Sequence, residues 1–190
     1  MNQALIFLLH TFLGLFSLAL LLRFYLQAVR APARNPLSNF IAALTNFAVL
    51  PARRIVPGLW GYDLATLMLA WIVEIVLVVA TRSLAGHDFG AAVGEAGVGI
   101  LLLAGMSLVR LFIYIVMFTT FVQALLSWIN PYSPAMPILQ SLTRPFLNLF
   151  RRHVPLIGGV DLSPLFVLVL GQLLLMWPVA PLERYFTGML

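Results

Sequence analysis

The chain has 190 residues, 62% of them hydrophobic and only 9% charged, with a net charge of +5 and no cysteine. Soluble domains carry about 25% charged residues, so a surface this poor in charge cannot be wetted and bilayer is the natural solvent. The missing cysteine excludes disulfides, zinc–thiolate sites, iron–sulfur clusters and covalently attached haem.

The N-terminus, MNQALIFLL, lacks a basic stretch. Its apolar run is about twice that of a signal peptide, so a cleaved leader is not expected. A spanning helix needs about 20 mostly apolar residues. Residues 4–22 supply the first, with Arg23 as its flank. A basic loop follows, in which Phe40, Leu44 and Phe47 fall at i, i+4 and i+7, a helical stripe. Pro57 ends that helix, because proline disfavours helical geometry in the residue before it, and Gly58 and Gly61 permit a sharp turn. Asp63 then opens the second span, 64–80, where its carboxylate meets the positive end of the helix dipole.

The third apolar run, 100–129, is too long for one straight span and contains Arg110. Either the span is 111–129 with Arg110 at a headgroup layer, or it is 100–122 with Arg110 near the membrane centre. A central arginine costs at least about 2.5 kcal/mol, which favours the first reading and makes 91–107 a shallow or re-entrant segment. In the second basic loop, Ser133-Pro134 reads as a cap followed by proline at the first helical position. Leu139, Leu142, Phe146 and Leu149 form its apolar stripe. Pro155, Gly158 and Gly159 stop it, Asp161 with Ser163-Pro164 restarts a helix, and the fourth span covers 162–177, extendable to 179.

Two segments repeat. Residues 35–66 and 130–164 both run Asn-Pro-x-Ser from Asn35 and Asn130, then Arg-Arg-x-Val-Pro at Arg53-Arg54 and Arg151-Arg152, then Asp-Leu six residues after the proline. The expected fold is therefore all-α: four transmembrane helices as two parallel repeats, each with an amphipathic interfacial helix. Residues 1–81 form the first repeat, 82–99 an external loop and 100–190 the second. Two spans per half make the halves parallel, with a pseudo-two-fold axis along the membrane normal. The first basic loop (23–63) holds five arginines, the second (127–161) three, and the external loop one. By the positive-inside rule both repeat loops face the cytoplasm and both termini the periplasm.

Arg53, Arg54, Arg151 and Arg152 are candidates for a cytoplasmic site for anionic lipid or an acidic membrane-protein partner. The plainer reading is topology determination plus a bridge to Asp63 and Asp161, each nine residues after the second arginine of its pair. Arginine keeps its charge when partly buried and grips phosphate or carboxylate with a planar fork; the complete absence of lysine fits that use, and fits GC-rich coding equally. Glu74 and Gln172 each lie eleven residues after the repeat aspartate, so the duplication places one polar group per half at equal depth. An intramembrane carboxylate suggests a proton or cation ligand, with Arg110 and His10 as partners. The plainer reading is a Glu74–Gln172 hydrogen bond across the bundle. His10, His87 and His153 have no second ligand at metal spacing, and no nucleophile–base motif is visible. No cofactor or metal is called for, and the few membrane-hugging arginines argue against nucleic acid.

Arg151, Arg152, Pro155, Gly158, Gly159, Asp161, Ser163 and Pro164, echoed in the first half, resemble the motif of the YggT family of bacterial membrane proteins, which includes YlmG and chloroplast counterparts. The first copy departs, with Leu59-Trp60 near the glycine pair and Ala65-Thr66 for Ser-Pro. The resemblance implies an inner-membrane or thylakoid location and no catalytic activity. It also implies roles in envelope or complex organisation, or in osmotic tolerance and potassium handling. An ion or osmolyte pathway through Glu74, in a homo-oligomer, is the alternative.

Overall fold

Long runs of leucine, valine, isoleucine and phenylalanine uninterrupted by proline propagate as helix, and they do so here. The computed structural model describes residues 2–32, 35–58, 61–86, 93–152 and 161–190. In order these form α1 (Asn2–Ala28), α2 (Pro36–Ile55), α3 (Leu64–Leu84), α4 (Val93–Ile129), α5 (Met136–Arg151) and α6 (Ser163–Leu174). A π-helical turn (Leu175–Val179) and α7 (Ala180–Thr187) follow. Four stretches are long and apolar enough to cross a membrane: Asn2–Ala28, Leu64–Leu84, Ala96–Ile129 and Ser163–Thr187.

Both ends of the bundle are defined by contacts. At one end, Tyr25 near the close of α1 donates to the Leu142 carbonyl of α5. At the other, Asn2 donates to the Leu84 carbonyl at 2.8 Å and Arg82 to the Thr187 hydroxyl at 3.3 Å. Helices α2 and α5 thus share one end with each other, and the two termini share the opposite end with the close of α3. Each half repeats the same internal packing: α1 with α2 and α3, and α4 with α5 and α6. Leu20, Leu21, Tyr25, Ala70, Leu108 and Ile115 form the main buried core.

The relation between the halves differs from the expected two-fold. Helix α3 packs on α4, and α1 touches α4 and α5. A two-fold exchange would also demand α6 on α1 and α2 on α4, and neither contact is present among the described residues. The halves lie side by side, with α6 at the outer edge.

The interfacial helices present two apolar faces. In α2, Ile41, Thr45 and Val49 are buried against the bundle, whereas the stripe of Phe40, Leu44 and Phe47 that marks the helix in sequence points outward, 46–72% exposed. Phe47 still stacks on Phe16 at 5.4 Å. Helix α5 buries Ile138, Leu142 and Leu147.

Three expectations are corrected. Residues 93–107 are not a separate re-entrant segment: α4 is one helix of 37 residues, because no proline interrupts it. Gly99 also serves packing, so close to Met189 that an added Cβ would lie 3.0 Å from that residue's Cβ. The 82–99 connection is accordingly helical at both ends. Helix α5 starts at Met136 rather than after Ser133; Ser133-Pro134 sits in a turn, and Pro137 occupies the first helical turn instead. The fourth span does not stop at 177–179: Trp177, held extended before Pro178 (φ −154°, ψ 108°), kinks the helix and the apolar stretch continues through α7 to Thr187.

Candidate anionic groove and intramembrane polar cavity

Each basic loop is tied back to its own half by an ion pair. Arg53 Nη2 lies 2.6 Å from Asp63 Oδ2, and Arg151 Nη2 lies 2.8 Å from Asp161 Oδ2. Asp63 is buried and also caps α3, accepting from the Thr66 N–H at 3.4 Å and from the Thr66 hydroxyl. Asp161 accepts from the Ser163 N–H at 2.9 Å. Burial raises both carboxyls; hydrogen bonds from Arg53 and Thr66 at Asp63, and from Ser163 and Arg151 at Asp161, outweigh it and hold both below the ordinary aspartate value. The first arginine of each pair therefore does internal work. Arg54 and Arg152 are exposed and make no ion pair among the described residues.

The repeat asparagines have different jobs. Asn35 caps α2: its Oδ1 accepts from the Ser38 N–H at 2.7 Å and its amide donates to Ser38 Oγ at 2.8 Å, with Pro36 at the first helical position. Asn130 instead closes α4, its N–H donating to the Leu126 carbonyl at 2.9 Å. Pro57 stands just past the end of α2. Pro155, Gly158 and Gly159 lie outside the described residues, as do His87 and His153.

A second latch escaped the sequence reading. Thr45 and Thr143 are fully buried, each eight residues before its Arg-Arg pair. Thr45 accepts from Arg23 Nη1 at 2.7 Å, and Arg23 also reaches Asn46 Oδ1 at 2.9 Å. Thr143 lies against Gln123 Oε1. The shared spacing to the arginines was the available signal, hidden because threonine at that position looks like an ordinary helix residue.

Between the two halves, beside these latches, opens a polar groove of about 790 Å³. Arg30 from the end of α1 lines it together with Arg144, Arg151, Gln123, Gln140 and Asn148 from the second half. Arg30 is placed there by its backbone, which adopts the left-handed conformation (φ 52°) that turns the chain out of α1; the following N–H, of Ala31, returns to the Leu26 carbonyl at 2.9 Å. Three guanidinium groups and three amides suit a phosphate or carboxylate. Arg53 and Arg54 do not line this groove, so the four predicted arginines are not gathered at one place.

A smaller cavity of about 300 Å³ lies within the spans, lined by His10, Glu74, Thr81, Ser107, Arg110 and Tyr114 among others. Glu74 is buried, with the Ser17 side chain beside it. Of the three partners expected for Glu74, His10 and Arg110 line the same cavity and Gln172 does not. Arg110 pairs with Glu183 of α7 at 3.0 Å. Gln172 is exposed on α6, which does not touch α3, because the halves are not exchanged by a two-fold and equal depth brings nothing together. Among the described residues no group of three His, Asp or Glu side chains is placed to hold a metal.

The family model described as CCB3/YggT matches residues 2–84 and 102–182. The chain is 36% identical to the uncharacterized protein PA0392 of Pseudomonas aeruginosa, over 92% of this chain and 87% of that one. It is 30% identical to the uncharacterized protein YggT of Escherichia coli K12, over 88% and 85%. A shorter likeness, 42% over 55 residues, joins it to the uncharacterized protein ycf19 of Galdieria sulphuraria, over 27% and 56%. No solved structure matches. Two matched segments, one on each repeat, place this multi-pass membrane protein in the CCB3/YggT family.

Proposed function

We propose that the protein is a non-enzymatic membrane factor whose basic loops face the cytoplasm and hold an anionic lipid headgroup, supporting the organisation of an envelope or membrane complex. The groove lined by Arg30, Arg144 and Arg151 carries the reading. Each arginine near an anionic leaflet gains about 1 kcal/mol, and three around one cavity make a site rather than a film of charge. The arginine excess in the repeat loops favours that side as cytoplasmic. Purified protein in nanodiscs of mixed phosphatidylcholine and phosphatidylglycerol is expected to enrich the anionic lipid. R30Q together with R144Q is expected to abolish the enrichment; unchanged enrichment would refute the site.

The second reading, an ion pathway, is favoured by one observation: Glu74 borders a cavity rather than being sealed by helix contacts. Two observations oppose it. Arg110 lines the same cavity and repels cations, and the cavity shares no lining residue with the groove at the other end. Leu20, Leu21 and Ala70 are nearly or fully buried in the core. Potassium or proton flux into vesicles that is lost in E74A would restore this reading.

A further inference from the structure

Going beyond that function, we infer that α6 is the docking face for α1 of a second copy of this chain, an arrangement that continues the packing of α3 on α4. Three observations carry it. The first is the open relation between the halves. Helix α3 packs on α4, yet the repeat-equivalent pair, α6 and α1, is unmet within one molecule. Such a head-to-tail contact is heterologous and leaves one unused face at each edge, which a neighbour can fill. The halves are parallel, so a neighbour inserted with the same membrane orientation presents its α1 edge as the second half presents α4.

The second observation is residue by residue. Aligning Asp63 with Asp161 pairs Leu67, Trp71 and Glu74 of α3 with Leu165, Val169 and Gln172 of α6. Trp71 Nε1 donates to the Leu101 carbonyl of α4 at 3.2 Å, and Glu74 lines the cavity beside Ser107 and Arg110 of α4. Their counterparts are all exposed, Leu165 at 56% and Val169 at 51%. On the receiving side, α1 exposes Leu5, Phe12 and Leu15.

The third is Gln172 itself. It lies nine residues into α6, about 14 Å from the helix start, near the middle of a hydrocarbon core about 30 Å thick. Its amide is exposed and makes no hydrogen bond among the described residues. A polar group facing lipid at that depth is costly, whereas a helix packed over it can supply a partner. On α1, Thr11 is a side chain at matching depth, eleven residues from the N-terminus.

Because the chain has no cysteine, single cysteines report the contact cleanly. V169C and L15C, carried on two differently tagged copies and co-expressed, are expected to crosslink to each other in membranes. V169C alone should not crosslink to itself. Q172L in the V169C copy is expected to lower the heterologous yield, from about three-fold to about thirty-fold, the range of one interhelical hydrogen bond. The substitution is harmless in an unpartnered monomer, so loss of yield with normal expression is informative. Three results would overturn the inference: V169C homodimers, which mean a symmetric α6–α6 contact; capture of V169C only by a different protein; or a monomer in membranes at every expression level. The lipid-enrichment measurement is independent of all three.

Discussion

At the residue scale, the two repeat aspartates are shifted titrating groups outside the spans. Their folded-state pKa values lie below the unfolded value of about 3.9. A depressed carboxylate stabilises the fold fully above its unfolded pKa and loses that contribution as pH falls through the folded value. Thermal stability in detergent should therefore hold steady above about pH 5 and fall below about pH 4. D63N with D161N should flatten that fall. Asp63 carries more than Asp161, because it is buried, caps α3 and pairs with Arg53. D63A is expected to cost about 1–3 kcal/mol, combining a lost cap with a partly exposed ion pair. The buried Thr143–Gln123 contact gives a sharper test. T143V alone strands the Gln123 amide and should cost about 1–3 kcal/mol. Adding Q123L should recover most of that loss in a thermal-melt double-mutant cycle, and no recovery would mean the pair is not coupled.

At the scale of elements, the end of α1 is the most informative. Arg30 holds a left-handed conformation that glycine adopts without strain and arginine does not. R30G should therefore leave thermal stability unchanged or raised by about 1 kcal/mol, while anionic-lipid enrichment falls. R30A keeps the strained backbone, so enrichment should fall with thermal stability unchanged. The four spans, both interfacial helices and the duplication were legible in the sequence, because apolar length, proline stops and repeated Arg-Arg motifs report local chemistry. The stripe on α2 was legible too, but not which way it faced. In an apolar solvent Phe40, Leu44 and Phe47 gain as much from lipid as from protein, so hydrophobic periodicity cannot choose. The continuity of α4 was missed for a related reason. Arg110 suggested a boundary, and its actual partner, Glu183, lies 73 residues away beyond a proline kink.

At the scale of the molecule, the repeat was readable but its symmetry was not. Two copies of a unit fix what each half packs inside itself; they do not fix how the halves meet. That relation depends on which helices lie side by side, here α3 and α4, and it decides the fate of the polar pair. Glu74 finds a cavity and Gln172 an exposed face of α6. Binding at the groove between the halves should weaken with salt, since its arginines are exposed and screened within about 8–10 Å at physiological ionic strength. Enrichment that persists undiminished at high salt would point to shape rather than charge.

One dimension of α4 sets how the protein meets its surroundings. A helix of 37 residues is about 55 Å long, far more than a hydrocarbon slab of about 30 Å. Hydrophobic mismatch of this size is relieved by tilt or by local thickening of the bilayer. Helix α7 is clasped to α4 through Arg110 and Glu183, so it must lean whenever α4 leans. The inclination of this pair should grow as acyl chains shorten, which makes the second half of the molecule a gauge of membrane thickness, readable by oriented infrared dichroism in short- and long-chain lipids.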